Sequence, residues 1–424
     1  MMMLYKDFKV NDWLNFLENR HQEEIQLGLS RMLQVAESLD LRRPSAKVIT
    51  VAGTNGKGST VATLEAIYHA AGYQVAAYTS PHLLSFNERI RVNQQNITDN
   101  ELCAAFLAIE IGRGETKLSY FEMATLAALW HFKQQSVDLI ILEVGLGGRL
   151  DATNIIDADL AIITTIDFDH QDYLGDSLEA IAYEKAGILR ANKPFIYADT
   201  NPLQSIIERS QELKAPMYLL GRDYCYQLKK EEMEFNWQEK KIVLTKPSLH
   251  PNSVNAAIMA SIILHKVLPV SDENWQQAIP RIVIAGRQQW IDSPVRTLFD
   301  VSHNPQSACY LAELIKNIVK KEKKTIHAVF SALKDKDLAG IVRPLKEYVT
   351  HWYPALLRSK RAASTEQLTK AFNFLQKAPI FYEDPASAYQ AACQRAHRDD
   401  LIIVYGSFVT VGEVMQTVTL RAEE

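Results

Sequence analysis

Between residues 12 and 41, apolar side chains recur every three or four positions (Trp13, Leu14, Leu17; Leu29, Met32, Leu33, Ala36). That is the spacing of one helix face, so helices are expected to open the chain. A β-branched run at 48–52 ends in glycines, and helical periodicity resumes over 64–71, giving strand, Gly-rich loop, helix. Further apolar runs at 75–78, 137–144, 160–166 and 194–198 mostly lack period-two alternation, as strands covered on both faces should. Helical stretches at 100–111, 121–134 and 178–189 separate several of them. Strands alternating with helices predict an α/β fold with a doubly wound, mostly parallel sheet.

Residues 225–245 read differently, as short, charged, alternating pieces that predict a small antiparallel meander on the edge of this domain. A helix is expected over 254–267. A second α/β series then runs from a strand at 297–301 through a helix at 307–319 and a strand at 326–330 to a strand at 401–405. It carries no glycine-rich phosphate motif and predicts a second, Rossmann-like domain. Gly286, Asp292, Ser293 and Pro294 cluster between the two series. The expected division is therefore 1–285, a linker at 286–295, and 296–424.

Composition narrows the function classes. The chain has 424 residues, 47% of them hydrophobic, enough for two cores. The formal net charge is −4 with no block of Lys and Arg, which argues against a nucleic-acid partner and leaves open a local basic pocket for an anionic small molecule. No apolar run reaches the length of a membrane span, and residues 1–12 lack a signal peptide's apolar stretch. Four cysteines stand far apart without C-x-x-C spacing, and they read as buried free thiols in a reducing compartment. A cytoplasmic, membrane-free monomer is the expectation.

The sharpest chemical motif is Gly53-Thr54-Asn55-Gly56-Lys57-Gly58-Ser59, after a strand and before a helix. Glycines let backbone N–H groups converge, the helix N-terminus adds a dipole, and Lys57 adds a full charge; together these cradle phosphates. A hydroxyl such as Ser59 or Thr60 could join the surroundings of a metal. The spacing departs from G-x-x-x-x-G-K-[ST], and an ordinary Gly-rich turn is the competing reading. Glu143, ending a strand before a Gly-rich loop, stands where ligands of open α/β sheets bind and suits Mg²⁺; it could equally cap that loop. Asp167, Asp169, His170 and Asp172 crowd after another strand, either around a shared cation or in plain solvent. Ser80 follows a further strand at a Pro-bounded turn. Lys185, beside Glu184 on a predicted helix, reads from composition as a solvated surface residue. Asp300 and His303 either serve a substrate or cap the helix that begins near Asn304-Pro305.

Taken in order, these motifs resemble the dihydrofolate synthase/folylpolyglutamate synthase family of the Mur ligase superfamily. The resemblance covers nearly the whole chain. It runs from Trp13-Leu-Asn-Phe-Leu and Leu27-Gly-Leu-Ser-Arg through the glycine loop, Thr79-Ser-Pro-His-Leu, Tyr120-Phe-Glu, the segment from Glu143 to Asn154, Asp169-His170 and Glu184-Lys-Ala-Gly-Ile. It ends with Asp300-Val-Ser-His-Asn-Pro, Asp335-Lys-Asp and Gly406-Ser-Phe-Val-Thr-Val. It implies a central ATP-binding domain followed by a glutamate-ligase domain. By resemblance, Thr54, Asn55, Gly56, Lys57, Gly58 and Ser59 hold the ATP phosphates, and Ser80, Glu143 and His170 are Mg²⁺ ligands. Lys185 matches a lysine that the family carries as a carbamate. Asn255, Arg287 and Asp300 match ATP contacts. Ile25, Gln26, Leu27, Ser119, Tyr120, Phe121, Glu122, Leu150, Asp151 and Ala152 match contacts to the pteroate substrate.

The activity implied is ATP- and Mg²⁺-dependent addition of L-glutamate to dihydropteroate and to reduced folates. It proceeds through an acyl phosphate and releases ADP and phosphate, with Lys57, Lys185, His170, Asp300 and His303 as the catalytic set. Two departures stand out. Ala285-Gly-Arg-Gln-Gln replaces the family's Pro-Gly-Arg-Phe-Gln, and Ser302 replaces an alanine. The rival readings are a superfamily ligase acting on a cell-wall precursor and a non-catalytic nucleotide-binding switch.

Overall fold

In the computed structural model, which describes residues 5–20, 28–292, 294–322, 324–375 and 379–423, the β-branched run after Pro44 is an inner strand of an eight-stranded sheet. Its strands are β1 (Lys47–Ala52), β2 (Val75–Tyr78), β3 (Ile90–Val92), β4 (Gln95–Asn96), β5 (Leu139–Glu143), β6 (Leu160–Ile163), β7 (Phe195–Tyr197) and β8 (Met217–Leu219). They lie in the order β4-β3-β2-β5-β1-β6-β7-β8. The six from β2 to β8 in that order are parallel. Every residue of β2, β5 and β6 is buried, which is why their sequences show no alternation. Each Leu or Ile so covered contributes roughly 1.5–3 kcal/mol.

β3 and β4 extend the sheet antiparallel. Apolar periodicity did not announce this hairpin, because its strands are three and two residues long. Its turn is Asn93-Gln94, both at positive φ (53° and 64°), the twist that a two-residue hairpin requires. The expected meander is present as β9 (Tyr224–Leu228), β10 (Glu232–Trp237) and β11 (Lys240–Thr245), antiparallel with β10 in the middle.

The second sheet comprises β12 (Gln289–Ile291), β13 (Thr297–Asp300), β14 (Ile326–Phe330), β15 (His351–Pro354) and β16 (Leu401–Tyr405), ordered β12-β13-β16-β14-β15. It is parallel except for β12, which pairs antiparallel with β13 inside the segment expected to be a linker. The helix Pro305–Lys321 covers this sheet through Ala308, Leu311 and Ile315.

By contacts the chain divides into one unit of Met1–His82 with Phe86–Ile282 and another of Leu83–Ser85 with Val283–Glu424. In the second unit, Leu83 lies beside Gly286 and Gly412. No described helix is long and apolar enough to cross a membrane. The four cysteines are free, as expected, but not buried: Cys225 and Cys309 are exposed, and Cys103 and Cys393 are half-buried. Cys225 on β9 and Cys309 on the helix Pro305–Lys321 take outward positions that composition alone could not assign.

Candidate active site

β1, β5 and β6 are neighbours, so the loops leaving their carboxyl ends converge. The first is the glycine loop. Gly53 (φ 147°) and Gly56 (φ 88°) hold conformations that a side chain disfavours. A Cβ on Gly53 would stand 1.8 Å from Thr164 Oγ1, and one on Gly56 would stand 2.8 Å from Ser253 Oγ. The loop is tied down from β6: Thr54 N–H donates to Thr165 O (2.7 Å), Asn55 N–H to Thr165 Oγ1 (3.2 Å), and Thr164 Oγ1 to Asn55 O (2.6 Å). Thr54 Oγ1 and the backbone of Asp167 also bond at 3.0 Å.

The helix Lys57–Ala70 begins at left-handed Gly56, which offers no side-chain cap. The first-turn N–H groups, including those of Gly58 and Ser59, are therefore presented for an anion. Lys57 Nζ donates to Gly53 O (2.9 Å) and Thr54 O (3.2 Å), so its charge lies within the loop.

The loops after β2 and β5 meet through Ser80 N–H, which donates to Glu143 Oε2 at 3.3 Å. Glu143 is buried at the end of β5. His170, at φ 51°, begins a short helix after β6, with Nε2 3.9 Å from Asp169 Oδ2. Among the described residues, no three His, Cys, Asp or Glu side chains assemble into a metal cage. Ser80 and Glu143, joined by a hydrogen bond, instead fit an ion that takes its remaining oxygens from phosphates and water, the habit of Mg²⁺.

Lys185 overturns the surface reading that composition gave it. It is 3% exposed at the end of the helix Leu178–Ala186. Burial, followed by the positive charge of Lys57, pushes its pKa down to about 7, against the opposing pull of Asp169 and Asp151. The loop after β5 packs onto this helix so closely that a Cβ on Gly148 would stand 2.8 Å from Glu184 O.

The residues matched to a pteroate site fall into two kinds. Ser119 and Glu122 form the capping box of the helix Tyr120–Gln134, and Glu122 pairs with Arg31 (2.9 Å). Asp151 is buried and accepts from Gly145 N, Leu146 N, Thr153 N and Thr153 Oγ1; burial raises its pKa. These three hold the local chain in place. Tyr120 and Phe121 provide apolar surface. The Phe121 ring stands 6.0 Å from that of Tyr78 and so close to Gly145 that a Cβ there would meet it at 2.5 Å. Leu150 is half-buried and Ala152 buried beside Asp151. Ile25, Gln26 and Leu27 lie outside the described residues.

Asn255, in the helix Pro251–Ile263, is fully buried; its Nδ2 donates to Pro251 O (2.8 Å) and Met233 Sδ (3.1 Å). In the second unit, Asp300 is half-buried at the end of β13 and accepts from Gln288 N (3.1 Å), Ser302 N (3.0 Å) and Ser302 Oγ; desolvation raises its pKa. His303 Nδ1 meets Val301 O at 2.9 Å. Phe408, whose role sequence reasoning missed, receives both the Arg287 guanidinium (5.7 Å) and the His303 ring (5.9 Å). The capping alternative is filled by Asn304, not Asp300. The replacements Gln288 and Ser302 both donate to Asp300.

Comparison with known proteins bears on the chain as a whole. Residues 51–262 match the Mur ligase middle domain and residues 286–408 the Mur ligase glutamate ligase domain. The chain is 41% identical over 409 residues to the dihydrofolate synthase/folylpolyglutamate synthase of Escherichia coli, covering 96% of this chain and 95% of that one. It is 37% identical to the enzyme of the same name from Haemophilus influenzae, covering 97% and 98%. It is also similar to a solved E. coli FolC in complex with DHPP and ADP (TM-score 0.93, 40% identity, 98% and 99% covered). A solved bifunctional folylpolyglutamate synthase/dihydrofolate synthase with Mn, AMPPNP and L-glutamate bound gives a TM-score of 0.90 at 40% identity, with 97% and 98% covered.

Proposed function

The chain belongs to the dihydrofolate synthase/folylpolyglutamate synthase family of the Mur ligases, and from that premise we propose how its residues carry out the ligation. It is a carboxylate–amine ligase that joins glutamate to folates at the expense of ATP. The observation that carries the residue-level reading is the bond from Ser80 N–H to Glu143 at the strand ends beside the glycine loop.

The phosphates of ATP lie against the N–H groups of residues 54–59, with Lys57 neutralising charge on the transferred group. Ser80, Glu143 and His170 hold Mg²⁺, which when bound supplies further charge neutralisation at the phosphoryl oxygens. Tyr120 and Phe121 receive the pteridine, on a loop wall braced by Asp151. The acid's carboxylate oxygen attacks the γ-phosphorus and displaces ADP. The glutamate amine then attacks the acyl carbon, and phosphate leaves.

Lys185 enters as a carbamate. Its low pKa provides the neutral amine that carbon dioxide needs, and the product is an anion able to orient the metal site. Arg287, Asp300 and His303 are assigned the nucleotide and catalytic roles that the resemblance implies. The four free cysteines suit a cytoplasmic setting, where the chain acts as a monomer without nucleic acid or membrane.

The test is incubation with ATP, Mg²⁺, L-glutamate and either dihydropteroate or tetrahydrofolate. Each acid should gain one glutamate by mass, with ADP and phosphate formed only when acid and amine are both present. AMP and pyrophosphate would refute the acyl-phosphate route. An enzyme that extends tetrahydrofolate but not dihydropteroate would refute the double activity.

A further inference from the structure

Arg91, on β3, takes no part in the phosphate loop, the metal pair or the pteridine wall. Its guanidinium nevertheless joins three segments that surround them. Nε and Nη2 donate to Glu65 Oε2 at 3.1 and 2.9 Å, and Nη1 donates to Thr79 Oγ1 at 3.0 Å and to Glu88 O at 2.7 Å. Glu65 belongs to the helix Lys57–Ala70, which the glycine loop opens, and is buried. Its other oxygen also accepts from Gln94 N–H in the β3–β4 turn (3.2 Å). Thr79 is the residue before Ser80, whose N–H reaches Glu143. One planar fork thus ties the helix that presents the phosphate site to the chain that presents Ser80.

Stability is a weak reason to keep such an arrangement. An ion pair with a carboxylate this buried loses in desolvation much of what it gains in attraction. Fixing three segments against one another does require it. Thr79 has one hydroxyl, Glu88 offers one carbonyl, and Glu65 two oxygens; only a guanidinium presents enough N–H groups in one plane to meet all of them. We infer that Arg91 is a positioning residue for the metal-binding pair Ser80 and Glu143, setting where the Ser80 hydroxyl and N–H stand relative to the phosphate loop. This rests on the assignment of that pair to Mg²⁺. Groups that orient a metal's ligands typically cost 10- to 100-fold in affinity or activity when removed.

The experiment measures the Mg²⁺ concentration that half-activates the purified full-length enzyme at saturating ATP, dihydropteroate and glutamate, together with melting temperature. Arg91→Met and Arg91→Lys should each raise that concentration about ten-fold or more. The lysine variant fails to rescue because its ammonium cannot span the three partners. Thr79→Val should raise it less, and adding Thr79→Val to Arg91→Met should change little further, since both cut one link. Arg20→Met breaks another buried pair, with Glu110 at 2.8 Å, and should lower the melting temperature without moving the Mg²⁺ requirement.

Arg91 variants that melt earlier but keep the wild-type Mg²⁺ requirement would overturn the inference and leave a structural ion pair. If Arg91→Met does not fold, Arg91→Lys and Thr79→Val decide the matter. Residual turnover of Glu143→Gln separates the two layers. An unmoved Mg²⁺ requirement there refutes the metal assignment itself, whereas a raised one beside unaffected Arg91 variants refutes only the role of Arg91.

Discussion

Replacing Lys185 with Met removes the charge from a buried site while keeping nearly the same length of apolar stem. Burial and Lys57 bring the lysine's pKa from 10.5 to about 7 in the folded protein. The unfolded chain therefore binds a proton that the folded one does not throughout the window between those two values. Stability must then rise with pH across that window, and below it the whole penalty is present. A fall of this size is worth on the order of 5 kcal/mol at its limit. The assay is urea unfolding of wild type and Lys185→Met in carbon dioxide-free buffer at pH 7, 8, 9 and 10. Other titrations cancel in the difference between the two proteins. Lys185→Met should be the more stable by several kcal/mol at pH 7, and the advantage should shrink by about 1.4 kcal/mol per pH unit towards pH 10. Added bicarbonate should stabilise wild type alone, because the proposed carbamate would form at the folded site. Turnover should be lost in the variant. A difference that is flat with pH would show that Lys185 is not a desolvated amine and would remove the physical basis for its modification.

Gly53→Ala forces a Cβ to within 1.8 Å of Thr164 Oγ1 at φ 147°. Unfolding free energy should drop by about 3 kcal/mol or more, with ATP use impaired; wild-type stability by denaturant titration would show that the loop can relax. Phe121→Ala removes the ring lying against Gly145 and Tyr78. The KM for dihydropteroate should rise about ten-fold while that for ATP stays within about two-fold; equal changes in both would show that Phe121 does not face the acid.

What could be read from the sequence follows from how local the cause is. β5 and β6 were legible because strands covered on both faces need unbroken apolar runs. The glycine loop was legible because its chemistry lies within seven consecutive residues. The β3–β4 hairpin was not, since short edge strands carry polar residues, and neither was the placing of Leu83–Ser85 with the second unit, which is a property of long-range contacts. Arg91 and Glu65 stand 26 positions apart and read singly as solvated charges. Ser119, Glu122 and Asp151 came into consideration only by resemblance, and their hydrogen bonds cap a helix and brace a loop.

Lys185 shows most clearly how environment overrides composition. The pair Glu184-Lys185 looks like helix surface, and Glu184 behaves accordingly by pairing with exposed Arg149 at 2.8 Å. Lys185, one residue on, points about 100° around the helix and is buried. There it meets the repulsion of Lys57, a residue that the phosphate loop needs for its own reasons. The depressed pKa eases the repulsion above about pH 7, where the amine gives up its proton. The proposed carbamate would go further and reverse the sign, so that Lys57 would attract what it formerly repelled and the proposed metal pair would gain an anion. On this proposal, the charge with which Lys57 would serve phosphates is also part of what depresses the Lys185 pKa and would open it to modification.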